Sequence, residues 1–314
     1  MEHLILKFGL GVGMLLVSTH VFVRLVTKIS RGLKLSPLVI GTTVVAVGTS
    51  LPELVVSGAS IISGDVGLAW GNIVGSNIVN VLLVLPVGIM LGKLRIGTTK
   101  TQKNIWVLVG ATAVFMALQM WGWSGVAVGL VLLGLAVAVT VEEYLWGVTG
   151  REHEDAKRFK HQTPKKLGVG DWAGLIVTLG IIAVGGVMTV GAVEGISLVT
   201  GYSTTILGLS LTAVVTSLPE LLTTIFAQEE HQAKVTIGDI VGSNVYNLLL
   251  IGGIITLFSS TRALELGETV WLGLTTLLFG LMLHQFSGKS VPRWVGVGLF
   301  GLLGVYLVML GWKW

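Results

Sequence analysis

Two short polar blocks, each present twice, carry the residue types that could do chemistry. The first reads Thr-Ser-Leu-Pro-Glu-Leu at 49–54 and again at 216–221. It places Glu53 and Glu220 in the middle of apolar stretches. A carboxylate at the centre of a bilayer costs about 2.5–3.5 kcal/mol on insertion scales, so two at matching places need compensation. The cores of the apolar stretches hold no lysine or arginine to supply it. A cation that comes and goes is the obvious partner, and protonation of the glutamates is the alternative. Pro52 and Pro219 each lack an N–H and crowd the carbonyl four residues back, at Gly48 and Val215. Each proline also disfavours helical angles at the residue before it, Leu51 or Leu218. The spacing therefore predicts a broken or kinked helix at both places, with backbone oxygens exposed at membrane depth. Such oxygens are tolerated only where they line a cavity or are buried in protein. Thr49 and Glu53 are four apart, as are Thr216 and Glu220, so each pair shares a helix face. Carboxylates, hydroxyls and bare carbonyls together make the oxygen shell that hard cations prefer. Two facing glutamates neutralise a divalent ion, and the same oxygens could hold sodium.

The second block reads Gly-x-Ile-Val-Gly-Ser-Asn-x-x-Asn at 71–80 and 238–247. Gly71 and Gly75, like Gly238 and Gly242, form a small-xxx-small face that lets helices approach closely. Ser76 and Asn80 share a face, and Ser243 and Asn247 repeat the arrangement. Their hydroxyl and amide oxygens could complete a coordination shell without adding charge, or hydrogen-bond between helices. Asn77 and Asn244 are expected to bond to neighbouring backbone. Asp239 breaks the symmetry, because its counterpart is Asn72. It is a possible third acidic ligand or proton acceptor, with a helix-end cap or a supporting role behind the ligands preferred.

The elements that must position these blocks are membrane helices. Of 314 residues, 53% are hydrophobic and 11% charged, where a soluble domain carries about 25% charged residues. Mean hydropathy is +0.87. Ten apolar spans follow, at about 4–24, 36–63, 66–91, 104–120, 125–147, 172–195, 204–227, 235–258, 268–286 and 293–312, each near the length that crosses roughly 30 Å of hydrocarbon. The first span is too long for a cleaved signal core and is kept as a helix. Without cysteine, neither disulfides nor thiolate metal sites can operate, and a formal charge of +4 is too small and dispersed for a nucleic-acid partner. Alternating the loops puts 17 of the 20 lysines and arginines on one side, leaving Lys7, Arg262 and Lys313 on the other. Positive charge gathers on the cytoplasmic side, so both termini are expected outside a plasma membrane crossed many times.

The charged connection from 149 to 171 reads as a cytoplasmic linker between a half at 1–148 and a half at 172–314. Shifting Gly41–Asn80 by 167 residues lands it on Gly208–Asn247 without a gap, with 16 of 40 positions identical. The copies lie five spans apart, so they enter the membrane from opposite sides. Inverted repeats of this kind mark alternating-access transporters with a site near the midplane. The expected fold is all-α and integral to the membrane: ten helices in two inverted five-helix repeats, with helices 2 and 7 broken.

Gly41-Thr-Thr-Val-Val-Ala-Val-Gly-Thr-Ser-Leu-Pro-Glu53 with Gly71–Asn80, and Leu211–Glu220 with Gly238–Asn247, resemble the paired α-repeats of the calcium/cation antiporter superfamily. The likeness is to its sodium/calcium exchanger branch, of prokaryotic type. That resemblance spans the chain and implies exchange of calcium against several sodium ions, with no cofactor and no obligate protein partner. It implies Glu53 and Glu220 as shared carboxylates, with Thr49 and Thr216 completing the calcium site. Ser50, Ser76, Ser217 and Ser243, with carbonyls near Ala46 and Ala213, would serve sodium. Asn80 and Asn247 would line the centre. The first and sixth spans would slide as a pair across the core. Two departures stand out: Val215 replaces the Gly48 of the first repeat, and Asn247 stands where potassium-dependent relatives and an archaeal type carry aspartate.

A proton/calcium or potassium-dependent antiporter using the same glutamates is the runner-up. His20, in the first span, is a candidate for proton coupling, although packing or backbone bonding is the commoner use. An intramembrane enzyme finds no support, since the chain has no Gly-x-Ser-x-Gly elbow and no His-Glu-x-x-His pair. A passive channel is separable by its flux. Trp121, Trp123, Trp312 and Trp314 sit at span ends as interfacial anchors, and Glu229, Glu230 and His231 read as solvated.

Overall fold

The structure, a computed structural model, describes residues 1–32, 46–92, 94, 96, 99–149, 167–229, 233–259 and 265–311. Most of the linker, Gly41–Val45 at the start of the first repeat, Arg262, Glu230, His231, Trp312 and Trp314 lie outside the described residues.

Every regular element among the described residues is helical. In chain order these are α1 (Glu2–Gly32), α2 (Ala46–Thr49), α3 (Leu51–Ser63) and α4 (Val66–Val79); α4 runs through a π-helical turn (Asn80–Val84) into α5 (Leu85–Leu91). Then come α6 (Thr99–Trp121), α7 (Val126–Thr149) and α8 (Val169–Thr200). The next stretch joins α9 (Thr204–Leu207), a π turn (Gly208–Thr212), α10 (Ala213–Thr216) and α11 (Leu218–Glu229). Last are α12 (Ala233–Tyr246), a π turn (Asn247–Ile251), α13 (Gly252–Phe258), α14 (Leu266–Gln285) and α15 (Arg293–Gly311).

Among the described residues, eight helical stretches are long and apolar enough to cross a membrane. The remaining expected spans, 36–63 and 104–120, appear among the described residues as shorter apolar helices, Leu51–Ser63 and Ile105–Trp121. This is a multi-pass membrane protein. Burial explains why the hydrophobic pattern is uniform in some helices. Val66–Leu91 is 83% buried and Thr236–Phe258 78%, whereas Val126–Glu143 and Arg293–Gly311 are 17% and 22% buried. The first two are apolar all round because protein surrounds them; the others because lipid does.

Glycine sets the closest crossing. A Cβ on Gly71 would strike the Thr205 carbonyl oxygen and reach Leu209 N at 3.0 Å; one on Gly208 would lie 2.9 Å from the Leu68 carbonyl oxygen. The small-xxx-small face of Gly71 and Gly75 thus brings α4 backbone-to-backbone against the π turn at 208–212. Tyr306 of α15, 1% exposed, donates its hydroxyl to the Leu209 carbonyl of that turn at 3.0 Å. On one flank of this core α1 and α8 lie along each other, with Gly11 against Gly185 and Thr189. Leu15, Ile182, Val190 and Val193 fill the seam with Leu51 and Val56 of α3. Lys28 at the end of α1 pairs with Asp171 in the first turn of α8.

Candidate cation-binding site

Both Thr-Ser-Leu-Pro-Glu blocks fold the same way. The helix stops at a single non-helical residue, Ser50 (φ −82°, ψ 10°) or Ser217 (φ −82°, ψ 6°). It restarts immediately, with Leu54 N donating to Ser50 O at 3.0 Å and Leu221 N to Ser217 O at 3.1 Å. The break was expected at Leu51 and Leu218, and it lies one residue earlier. Proline is tolerated in the first turn of a helix, where its missing N–H is not needed, so Leu51 and Leu218 become first helical residues and the break falls on the serine. Each restarting helix carries a glutamate in its first turn.

Glu53 and Glu220 are both fully buried. They lie close enough to feel each other's charge, and three hydroxyls ring each carboxylate. Ser217 donates to Glu53 Oε1 at 3.4 Å, and Ser50 donates to Glu220 Oε1 at 3.4 Å. Ser243 donates to Glu220 Oε1 at 3.1 Å. Behind them Thr216 donates to Asn72 Oδ1 and Thr49 to Asp239 Oδ1, each at 3.1 Å. Ser76 and Thr216 hydroxyls are 3.2 Å apart, and those of Ser243 and Thr49 3.4 Å. Every one of these pairings except Ser243–Glu220 joins the two copies of the duplicated segment and recurs at the 167-residue spacing of the sequence.

The four asparagines close the centre. Asn80 Nδ2 donates to Asn244 Oδ1 at 3.0 Å, and Asn247 Nδ2 donates to Asn77 Oδ1 at 3.4 Å. Asn244 Nδ2 reaches the Asn77 carbonyl at 3.3 Å. Asn77 and Asn244 were expected to bond nearby backbone. Asn244 does bond backbone, the Asn77 carbonyl of the other copy, while the side-chain oxygens of Asn77 and Asn244 accept from Asn247 and Asn80 across the copies; Asn80 and Asn247 each open a π turn. A π turn inserts one residue into a helix and is frequent at functional sites; neither was legible in the sequence.

Four oxygens on the ligand candidates have no hydrogen-bond partner: Glu53 Oε2, Glu220 Oε2, Asn80 Oδ1 and Asn247 Oδ1 are buried and unpaired, as is the Nδ2 of Asn77 beside them. Unpaired buried acceptors are costly, and unpaired buried carboxylates more so. The ion pair between Lys28 and Asp171 involves neither glutamate. No three His, Cys, Asp or Glu side chains gather into a metal cluster among them; the shell mixes two carboxylates with hydroxyls and amides. Such a shell suits a hard cation that must also leave.

The other expected positions fall as follows. Ala213 opens α10, and its carbonyl accepts from Ser217 N at 3.1 Å and Thr216 Oγ1 at 3.4 Å. Ala46 opens α2. Asp239 lies inside α12 and is 4% exposed, which does not fit a helix-end cap facing water. His20 is on an exposed face of α1. Sequence reading gave no role to Asn72. Its carboxamide spans Thr216, Ser57 Oγ (3.1 Å) and the Glu53 carbonyl (3.3 Å), and its place opposite Asp239 in the duplication was the available signal.

Residues 3–143 and 170–312 match the family described as sodium/calcium exchanger protein. This chain belongs to the sodium/calcium exchanger family. It is 27% identical over 343 aligned positions to the sodium/calcium exchanger MaX1 of Methanosarcina acetivorans, covering 96% of each chain. To the putative antiporter CaxA of Alkalimonas amylolytica it is 29% identical over 255 positions, covering 79% of each. A solved structure of the sodium-calcium exchanger NCX_Mj soaked with Na+ and Sr2+ superposes with a TM-score of 0.68 at 26% identity over 97% of each chain. Family and fold together make the protein a cation antiporter of the membrane, a transporter by class.

Proposed function

We infer that this exchanger moves calcium against sodium by alternating access, with Glu53 and Glu220 as shared carboxylate ligands. The observation that carries the reading is the crossed pair of hydrogen bonds. The serine of each helix break holds one oxygen of the opposite glutamate and leaves the other oxygen unpaired. Two carboxylates offer the charge that balances one divalent ion, and Thr49 and Thr216 add neutral oxygens beside them. When calcium leaves, the same cluster divides among sodium ions, with Ser50, Ser76, Ser217, Ser243 and the carbonyls near Ala46 and Ala213 as ligands and Asn80 and Asn247 between. Recurrence of the contacts between copies at one spacing supports two inverted halves, 1–148 and 172–314, of five spans each. The lysine and arginine asymmetry supports outward termini, a cytoplasmic 149–171 linker and a plasma-membrane site. The α1–α8 pair, held mainly to itself and to α3, is the element that slides.

Proteoliposomes test this. An outward-directed sodium gradient is expected to drive calcium uptake, and Glu53→Gln or Glu220→Gln to abolish it. Calcium flux indifferent to sodium on both sides, but driven by a pH step or requiring potassium, replaces this reading with the proton- or potassium-coupled antiporter.

A further inference from the structure

The two copies differ behind the glutamates. On α4, Asn72 keeps both ends of its carboxamide occupied: Oδ1 accepts from Thr216, and Nδ2 donates to Ser57 Oγ and to the Glu53 carbonyl. The residue 167 positions on is Asp239. Its Oδ1 keeps the equivalent bond, from Thr49 at 3.1 Å, but its other oxygen has no hydrogen to donate when ionised. The equivalents of Ser57 and the Glu53 carbonyl are Thr224 and the Glu220 carbonyl. Asp239 Oδ2 and Thr224 Oγ1 are both buried and both without a hydrogen-bond partner. Asp239 is 4% exposed and Thr224 0%. Where the first copy has an NH2 group between two acceptors, the second has a carboxylate oxygen, a hydroxyl and a carbonyl at the equivalent positions of the duplication. The carboxylate and carbonyl oxygens have no hydrogen to offer, and the Thr224 hydroxyl makes no hydrogen bond to either, so a positive species among them would satisfy all three.

The route to that place differs as well. One turn beyond Thr224 on α11, Gln228 donates to Thr236 of α12 at 3.0 Å, and both are buried. The equivalents in the first copy are Ile61 and Ala69. A polar seam therefore runs between α11 and α12 toward Glu229, the end that the basic residues assign to the cytoplasm, and the first copy has an apolar seam in its stead.

We propose that Asp239 Oδ2, Thr224 Oγ1 and the Glu220 carbonyl oxygen form an accessory site for a monovalent cation of sodium's size, reached along the Gln228–Thr236 seam. One carboxylate with two neutral oxygens matches a single positive charge, and oxygen ligands suit a hard ion. Glu220 joins this site to the central one, its carbonyl serving here and its carboxylate there. The proposal rests on sodium being a substrate of this exchanger.

Equilibrium binding of radiosodium to the purified protein in calcium-free detergent tests it, beside calcium–calcium exchange in sodium-free proteoliposomes. Asp239→Asn rebuilds the amide arrangement of Asn72 and is expected to bind one sodium ion fewer than the wild type. Thr224→Val keeps the volume and removes the hydroxyl ligand. It is expected to raise the half-saturating sodium concentration about tenfold, as loss of one ligand bond implies, while calcium–calcium exchange is unchanged. Unaltered sodium stoichiometry in Asp239→Asn, or an unshifted sodium curve in Thr224→Val, overturns the site. The Thr224→Val result decides alone if Asp239→Asn does not fold. Stoichiometry that is unchanged but whose pH dependence disappears assigns a proton to Asp239 and also overturns it. Wild-type protein that binds no sodium overturns both the accessory site and the sodium reading. Loss of sodium binding in Glu53→Gln with none lost in Asp239→Asn removes the accessory site and leaves the central one.

Discussion

The tightest crossing in the core offers a test in which geometry fixes the sign. A Cβ on Gly75 would sit 2.7 Å from the Ala213 Cβ and 2.8 Å from the Leu209 Cα and carbonyl oxygen. Two of those three atoms are backbone and cannot swing aside. Reaching the start of ordinary contact at 3.4 Å requires α4 to retreat by about 0.7 Å. Ser76 follows Gly75 directly, so its 3.2 Å contact with Thr216 stretches to about 3.9 Å, beyond a hydrogen bond. Gly75→Ala therefore costs about 1–3 kcal/mol of overpacking, against about 1 kcal/mol returned by alanine's helix propensity. Gly58 of α3 is the matched control, because nothing lies within 4 Å of its Cβ position. Gly58→Ala should unfold in detergent at or above the wild-type temperature. Gly75→Ala should unfold lower, by about 2–4 °C for each net kcal/mol. With the Ser76–Thr216 bond gone, worth about 1 kcal/mol, the calcium concentration for half-maximal uptake should rise about fivefold. Gly75→Ala that matches Gly58→Ala in both unfolding and uptake refutes the close approach and the coupling drawn from it.

Ser50→Ala and Ser217→Ala remove crossed bonds of equal length, so each should weaken calcium uptake by a similar factor, about three- to tenfold; a large effect in one and none in the other contradicts the paired arrangement. Tyr306→Phe leaves the Leu209 carbonyl unpaired in the core and should destabilise by about 1–3 kcal/mol, read as a lower unfolding temperature with calcium affinity retained. Lys28→Met removes the ion pair between α1 and α8; its effect on turnover should be visible at low salt and fade as ionic strength rises, and an effect independent of salt would assign Lys28 another role.

The sequence made some features plain and hid others for physical reasons. Glu53 and Glu220 were legible because charge inside an apolar span has few explanations, and the duplication tied Thr49, Ser76 and their copies to them. The crossing of partners, Ser50 to Glu220 and Ser217 to Glu53, was not legible. It joins residues more than 160 positions apart and depends on how two broken helices face each other. Leu51 was misread because a rule for the residue before proline competes with proline's preference for the first turn of a helix, and the helix start won. The π turns at Asn80 and Asn247 have no hydrophobic period of their own, so they pass as ordinary helix, yet they aim the central carboxamides. Asn72 and Thr224 went unassigned because a lone polar residue in a membrane helix more often bonds to a neighbouring helix than to an ion. Only comparison of the two copies in space separates those uses.

In the proposed exchange, one divalent ion is shared by Glu53 and Glu220. Diffraction from crystals soaked in calcium, with the metal located by its anomalous signal, tests that most directly. A single calcium within about 2.3–2.6 Å of at least one oxygen from each of the two carboxylates is the predicted result. Calcium bound to one glutamate with the other hydrogen-bonded elsewhere, or to neither, would contradict it.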